Sequence, residues 1–581
     1  MTRPLAQGLF RRRTWSRLTD LMIFAGALAV FSAALTIGRT WLGPFTPVAE
    51  LSTSPRALPG YAAYSLARIV IAYALSLAFA LVYGYAAARS ERAARVLLPL
   101  LDILQSIPVL SFLPGVMLAM VALFPRRQMG LELGAILLIF TGQAWNIAFS
   151  FYSSLKAIPR ELDEAAKIYR FSRWQRFTEL ELPSAAIGLV WNSMMSVAGG
   201  WFFLMACEMF VLGRRDFRLP GLGSYLQTAA DAGDTRGILW GLAAMIGVIV
   251  LMDQLIWRPV IAWADKFKIE QVESAAGERE QHSTVLALLR RSGVPAALYR
   301  KVIAPAGERI TLFFARRAGQ APSPRPAARA AGWKMWLGRA LAAALVAALG
   351  YAALRACLAL QQLTSAEILE VGRGAGITFL RVSVALALGA AWAVPAGVAI
   401  GSSPRLARIA QPLAQVAASV PATALFPVVL LVLIHAGRGM GLAAIVLMLL
   451  GTQWYILFNV IAGAMAIPTD LKEAAGIFRF GRWDRWRKLI LPGIFPYLVT
   501  GMLTAAGGAW NASIIAEYFH FRGEIRSTPG LGATISRATD AGEFHVLLAA
   551  TLVMAVIVVT MNRLVWQRLY RLAETRFKLE T

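Results

Sequence analysis

The chain has 581 residues, of which 58% are hydrophobic and only 15% charged, and its mean hydropathy is +0.59. So little charge excludes an ordinary soluble globular domain, which needs more to cover its surface. The formal charge of +26 does not indicate a nucleic-acid interface, because Lys and Arg fall in short clusters between apolar runs rather than in one patch or stripe. Cys207 and Cys357, the two cysteines, both sit inside apolar stretches and offer neither a disulfide framework nor a thiolate metal site.

In chain order, a basic start at Arg11-Arg12-Arg13 precedes an apolar run near 21–38. That run is long for a signal-peptide core and more runs follow, so a retained first helix is expected rather than a cleaved leader. Further runs long enough to cross the hydrocarbon core fall near 62–88, 97–123, 131–152, 184–212 and 236–262. A second set falls near 335–356, 376–400, 413–434, 442–463, 493–516 and 543–566. The expectation is an all-α polytopic membrane protein with about twelve transmembrane helices, divided equally between two halves. The runs containing Pro108 with Pro114, and Pro421 with Pro427, are expected to be irregular, since proline within a span needs a neighbour or cavity to satisfy the freed carbonyls.

The basic loops predict orientation. Arg89, Arg92 and Arg95, the stretches 156–176 and 472–488, Arg405 with Arg408, and the tail from Arg563 place both termini in the cytoplasm, with Arg126, Arg127, Arg214, Arg215 and Arg218 as exceptions outside. The predicted units are residues 1–263, a basic cytoplasmic linker over 264–332 with Pro322, Pro324 and Pro326, and residues 333–581.

The halves are copies. Arg68, Pro99, Ser106, Pro108 and Pro114 match Arg381, Pro412, Ser419, Pro421 and Pro427 at one constant offset. After a slip of a few residues, Trp145, Pro159, Trp174, Pro183, Trp201 and Glu208 match Trp454, Pro468, Trp483, Pro492, Trp510 and Glu517 at a second offset. The match continues through Pro220-Gly221-Leu222-Gly223 with Pro529-Gly530-Leu531-Gly532, and Asp231-Ala232-Gly233 with Asp540-Ala541-Gly542. Each copy holds an even number of expected spans, so the two repeats should be parallel, with a pathway between them.

The stretches 158–183 and 467–492 stand out because they are too polar to span. Ile168, Phe171, Trp174 and Phe177 recur at every third position in the first, as do Ile477, Phe480, Trp483 and Trp486 in the second. Arg170, Arg173 and Arg176, and Arg479, Arg482 and Arg485, interleave with them. Such spacing predicts one face of a short helix. A helix lying on anionic lipid and a helix docking in a partner's groove are both open on this pattern alone; two copies at matching places favour a two-fold symmetric partner.

At these residues a resemblance becomes plain. Glu164-Ala165-Ala166 and Glu473-Ala474-Ala475, each followed by a basic–aromatic stretch closed by Leu-Pro, resemble the EAA loop of binding-protein-dependent ABC importer permeases. Pro99 with Gln105-Ser106-Ile107-Pro108, Gly199-Gly200-Trp201 with Glu208, and the Pro-Gly-Leu-Gly and Asp-Ala-Gly segments extend the likeness over nearly all of both halves. It is most similar to the nitrate/taurine/sulfonate branch, in a duplicated anion-transport form. The resemblance implies two parallel repeats of the MetI-like permease type and alternating access for a small anion such as nitrate, taurine, a sulfonate or bicarbonate. It also implies two cytoplasmic ABC ATPase subunits or domains, an extracytoplasmic solute-binding protein and a place in the bacterial inner membrane. The contact with the ATPase would fall on Glu164, Ala165, Ala166, Ile168, Arg170, Phe171, Arg173 and Trp174, and on Glu473, Ala474, Ala475, Ile477, Arg479, Phe480, Arg482 and Trp483.

One departure stands out. The family pattern has glycine six residues after the loop's Glu, where the turn takes a positive φ, whereas this chain has Arg170 and Arg479. A side chain there costs on the order of 1 kcal/mol, which predicts a variant turn in both loops.

No Gly-Lys dipeptide occurs, so a phosphate-cradling loop is absent from the sequence and ATP would be bound by partner subunits. No catalytic, cofactor or metal constellation is visible. Candidates for the pathway are polar or aromatic residues inside spans: Gln143, Trp145, Trp201 and Glu208, and Gln453, Trp454, Trp510, Asn511 and Glu517. A carboxylate at mid-bilayer costs roughly 2.5–3.5 kcal/mol and must face protein or water, so a structural hydrogen bond competes with a pathway role for both Glu residues. Arg68 and Arg381, near the start of the second span of each half, are expected to snorkel to the interface rather than attract an anion. The rival functional classes are a secondary transporter of the major facilitator type, which needs no long matched loops, and a non-transporting membrane scaffold.

Overall fold

The structure, a computed structural model, describes residues 41, 51–125, 127–212, 215–264, 266, 301, 305, 309, 332–435, 439–521 and 524–576. The run near 21–38 and nearly all of the 264–332 linker lie outside the described residues.

The first copy runs α1 (Leu58–Arg89), α2 (Glu91–Ser106), α3 (Leu113–Leu123), α4 (Met129–Lys156), α5 (Arg160–Ile168), α6 (Leu182–Glu208), α7 (Leu222–Asp231), α8 (Thr235–Met252) and α9 (Arg258–Ala264). The second repeats that order. Its helices are α10 (Gly332–Leu360), α11 (Ser365–Ser402), α12 (Pro404–Ser419), α13 (Ala422–His435), α14 (Met440–Ala466), α15 (Thr469–Ile477), α16 (Leu491–Ala516), α17 (Leu531–Ala541), α18 (Phe544–Met561) and α19 (Gln567–Arg576). The copies even share their irregularities. A π turn joins α8 to α9 at Asp253–Trp257 and α18 to α19 at Asn562–Trp566, and others precede α6 and α16. Among the described residues, eight helices are long and apolar enough to cross a membrane.

Two expected spans are corrected in extent, and the irregularity expected at their prolines is present. The runs near 97–123 and 413–434 are not single helices. Each divides into an amphipathic helix (α2, α12) and a shorter apolar one (α3, α13). The cause is local: the residue before a proline is pushed out of the helical region. Ile107, before Pro108, has φ −77° and ψ 124°, and Val420, before Pro421, has φ −79° and ψ 118°.

Within each copy the fourth span is central, with α4 packed between α1 and α6, and α14 between α11 and α16. Close approach is set by glycine. A Cβ on Gly84 would lie 2.9 Å from the Phe151 ring, and one on Gly397 2.8 Å from Val460. The copies meet where α6 and α8 touch α13, and where the turn Val109–Phe112 touches α16. On one side of the bundle, short antiparallel hairpins follow the fifth spans: β1 (Val211–Leu212) with β2 (Arg215–Asp216), and β3 (Tyr518–Phe521) with β4 (Glu524–Ser527).

Candidate functional site

Pro159 and Pro468 open α5 and α15, whose last turns end at Tyr169 and Phe478. The next residues, Arg170 and Arg479, have φ of 52° and 49° and are the non-glycine residues with positive φ among those described. The expected variant turn is therefore corrected. The left-handed turn of the glycine pattern is kept, with arginine strained into it at a cost of about 1 kcal/mol per loop. The backbone hydrogen bonds Phe171 N to Ala166 O and Phe480 N to Ala475 O, both 3.0 Å, close the two turns identically.

This turn also corrects the single helical face. Because it reverses direction after α5, the apolar residues of the threefold spacing separate. Ile168 is 78% exposed, Phe171 39%, while Trp174 and Phe177 are partly buried, with Phe177 edge-on to Tyr85 at 5.6 Å. In the second loop Ile477 is 79% exposed, Phe478 74% and Trp483 77%. Together with Tyr169 at 76%, these tips include the most exposed large apolar side chains among the described residues. Ala166 and Ala475 are buried beneath them, while Glu164, Glu473, Arg173 and Arg482 are exposed and Ala165 and Ala474 are intermediate.

The first loop is ion-paired to its own bundle. Arg176 pairs with Asp163 and, through Nε, with Glu181 Oε1 at 3.1 Å; Arg89 at the end of α1 pairs with the same Glu181 oxygen; Lys167 Nζ holds Asp163 Oδ2 at 2.8 Å. The hydrogen bond from Lys167, with Arg176 and Arg89 nearby, holds the Asp163 carboxyl below the usual carboxylate range.

The second constellation lies at the far end of the same spans. Arg68 is fully buried. Its guanidinium donates to Glu132 at 2.5 and 2.7 Å, to Glu208 Oε1 at 2.7 Å and to the Pro220 carbonyl at 2.9 Å. Glu208 also accepts from Ser65 Oγ at 2.7 Å and from Gly223 N at 2.7 Å. The second copy repeats most of this: Glu517 Oε1 accepts from Arg381 at 2.8 Å and from Thr378 Oγ1 at 2.8 Å, and Glu517 Oε2 accepts from Gly532 N at 2.9 Å. The geometry explains the Pro-Gly-Leu-Gly motif, because a Cβ on Gly221 would sit 2.3 Å from the Glu208 carboxylate and one on Gly530 2.2 Å from that of Glu517. Arg68 thus does not snorkel. Its partner Glu132 escaped the sequence reading, although an acid inside the run Leu131–Phe140 was a usable signal. In the second copy Gly441 faces Arg381, whose Nη2 instead meets Thr528 at 2.7 Å.

The third feature is a cavity of about 150 Å³ between the copies. Of the pathway candidates, Trp201, Trp454 and Asn511 line it; Gln143, Trp145, Glu208, Gln453, Trp510 and Glu517 do not. Sequence reasoning had not singled out Met194, Phe203, Gln415 or Trp257, which do. Matching residues have parted ways. Trp454 faces the cavity, whereas Trp145 stacks edge-on to Phe79 at 5.6 Å. Gln453 accepts from Trp392 Nε1 at 3.0 Å, whereas Gln143, fully buried, finds no partner for its amide among the described residues. Trp201 Nε1 is likewise buried and unpaired. Asn511 crosses the boundary, accepting from Leu110 N at 3.4 Å just past the Pro108 break. Among the described residues the lining is mostly aromatic and aliphatic, its charged member is Asp253, and it includes no Lys or Arg.

A duplicated helical bundle that closes on a shared cavity defines a polytopic membrane permease. Residues 80–256 and 385–578 both match the family described as "Binding-protein-dependent transport system inner membrane component", which is more than half of the chain. The chain belongs to that family. It is 29% identical to the nitrate import permease protein of Leptolyngbya laminosa over 185 residues, 32% of this chain and 63% of that protein. Against the bicarbonate transport system permease protein of a Synechocystis species it is 30% identical over 137 residues, 24% of this chain and 48% of the relative. Against the taurine transport system permease protein of Escherichia coli it is 28% identical over 177 residues, 30% and 61% of the two. Each match therefore spans less than two thirds of the relative's own length.

Proposed function

We propose that this chain is the membrane-spanning permease of an ATP-driven importer, supplying both halves of the pathway in one polypeptide. The two EAA loops dock in two cytoplasmic ABC ATPase subunits, an extracytoplasmic binding protein delivers the solute, and the chain alternates between outward and inward openings. It contributes no catalytic group of its own; ATP is bound and hydrolysed by the partners. Its place is the bacterial inner membrane, with both termini cytoplasmic.

The observation that carries this reading is the exposure of Ile168, Tyr169, Ile477, Phe478 and Trp483 on two matching turns. Large apolar side chains clustered on rigid projecting turns mark a surface awaiting a partner. A purely lipid-seated helix would not require the same strained φ in both copies.

The solute is a small anion, by analogy with relatives named for nitrate, bicarbonate and taurine. With no Lys or Arg among the described residues of the cavity wall, the anion is held by neutral donors, the side-chain N–H groups of Gln415, Asn511 and Trp201. Affinity purification of the tagged chain from its native membranes tests the reading. Recovery of a stoichiometric ATPase, lost when Glu164 and Glu473 are replaced by Lys together with Ile168 and Ile477 by Asp, is the expected result. A chain that purifies alone and drives uptake from a proton gradient would refute it and favour the secondary transporter. Uptake of nitrate, bicarbonate and taurine by the reconstituted complex then tests the solute class.

A further inference from the structure

The two loops share a backbone but not an attachment. In the first, Glu181 is buried, with Oε1 shared between Arg89 and Arg176, and Arg176 bridges on to Asp163. The Arg89 guanidinium also lies 5.3 Å over the ring of Tyr85, which itself meets Phe177 of the loop. Two of these links, Arg89 with Glu181 and Tyr85 with Phe177, join the loop to the cytoplasmic end of α1, and the Arg176 bridges hold the loop together around Glu181.

The repeat alignment shows what stands at the same places in the second copy. Asp163 becomes Lys472, Glu181 becomes Ile490, Arg89 becomes Ser402 and Tyr85 becomes Val398. Arg176 alone keeps its charge, as Arg485. No acid pairs with Arg485 among the described residues, and Lys472 Nζ instead donates to the Ala464 carbonyl at 3.4 Å. Lys488 makes a local pair with Asp484 at 2.8 Å and lies 5.5 Å over Phe480, both within the loop itself. Among the described residues, the second loop therefore shows no polar tie to α11.

α1 carries a second fixture. Arg68, on the same helix and about 31 Å from Arg89 at 1.5 Å per residue, is locked to Glu132 and Glu208. We propose that α1 is a strut tying the first EAA loop to the buried Arg68 lock at the opposite end of the bundle, with Arg89 and Glu181 as positioning residues, so that loop motion reaches the far side chiefly through the first copy. The proposal rests on the reading of the EAA loops as ATPase-coupling elements. A buried ion pair resists separation because stripping one partner leaves a desolvated charge, and a continuous helix transmits displacement between its fixed ends.

The test uses the complete chain with its co-purified ATPase, Cys357 replaced by Ser and spin labels at Arg127 and Glu524, one exposed site on each copy's side of the hairpin face. The ATP-dependent change in the label–label distance is the readout. Arg89→Gln, Glu181→Gln and their combination should each lose more than half of the shift, the double variant no more than either single, with ATPase recovery unchanged. Arg89→Lys and Arg485→Gln should keep the shift. A full shift in Arg89→Gln or Glu181→Gln, or an equal loss in Arg485→Gln, would overturn the strut. Loss of ATPase recovery in Arg89→Gln, whose side chain is one-third exposed, would also overturn it, because the pair would then serve the loop's fold and not its transmission. Failure of the unsubstituted chain to recover any ATPase would instead sink the coupling reading beneath it.

Discussion

Arg68 and Glu208 are the residues whose environment differs most from what their types suggest. An arginine near the end of a span ordinarily bends its charge toward water, yet here it is held by two carboxylates and a backbone carbonyl. Breaking such a pair by removing one partner typically costs about 3–5 kcal/mol. Glu208→Gln is expected to destabilise by that order, since it strips charge from Arg68 and disturbs the bonds from Ser65 and Gly223. Glu132→Gln should cost less, because it leaves one guanidinium against one carboxylate, the arrangement the second copy already has at Arg381 and Glu517. Thermal unfolding of the two variants in detergent orders them; equal losses would contradict the account. Arg170 offers a second test. Arg170→Gly should relieve about 1 kcal/mol of backbone strain and Arg170→Val should add to it, since β-branched residues fit the left-handed region worst. Amide exchange across 166–172 reads the difference.

At the level of elements, the same proline rule that divides α2 from α3 also divides α12 from α13, so both copies present a broken third span at their boundary. Backbone groups freed at such a break need partners, and Asn511 supplies one to Leu110. The first EAA loop is an element held by charge, and its pH dependence follows. Asp163 titrates below its ordinary value in the folded chain. A depressed carboxylate contributes stability that is present above the unfolded value near about 3.9 and is lost as pH falls through the lower folded one. The amide protection factor across 160–181, which removes the intrinsic pH dependence of exchange, should therefore hold steady down to about pH 4 and fall only in stronger acid. The second loop, with Lys472 at that position, should show no such step.

For the whole molecule, fusion has allowed the two walls to differ. Trp454 and Asn511 of the second copy face the cavity, while their counterparts Trp145 and Phe202 have divided, Trp145 packing inside its own copy and Phe202 lining the cavity as an apolar surface. Contacts across the boundary involve α6, α8, α13 and α16. Buried apolar residues of both copies belong to one continuous core, so the halves produced as separate chains, divided within 267–300, should co-purify. Asn511→Leu should weaken that association and lower uptake, as it removes a polar bond at the boundary and leaves Leu110 N unpaired.

The duplication, the helical class, the breaks at Pro108 and Pro421, and the position of both polar loops are legible along the chain. These depend on hydropathy over tens of residues, on proline's covalent geometry and on motif spacing, all of which are local in the chain. The sequence did not reveal that Arg68 meets Glu132 and Glu208, because an ion pair between residues far apart in sequence is chosen by which helix faces pack together. Nor did it separate Trp454 from Trp145, whose local sequences look alike while their neighbours across the bundle differ. The arginines in the glycine position are visible in the sequence, but that the turn stays left-handed follows from its packing. The packing of α5 and α15 under their Phe171 and Phe480 hydrogen bonds holds a conformation that the side chain alone disfavours.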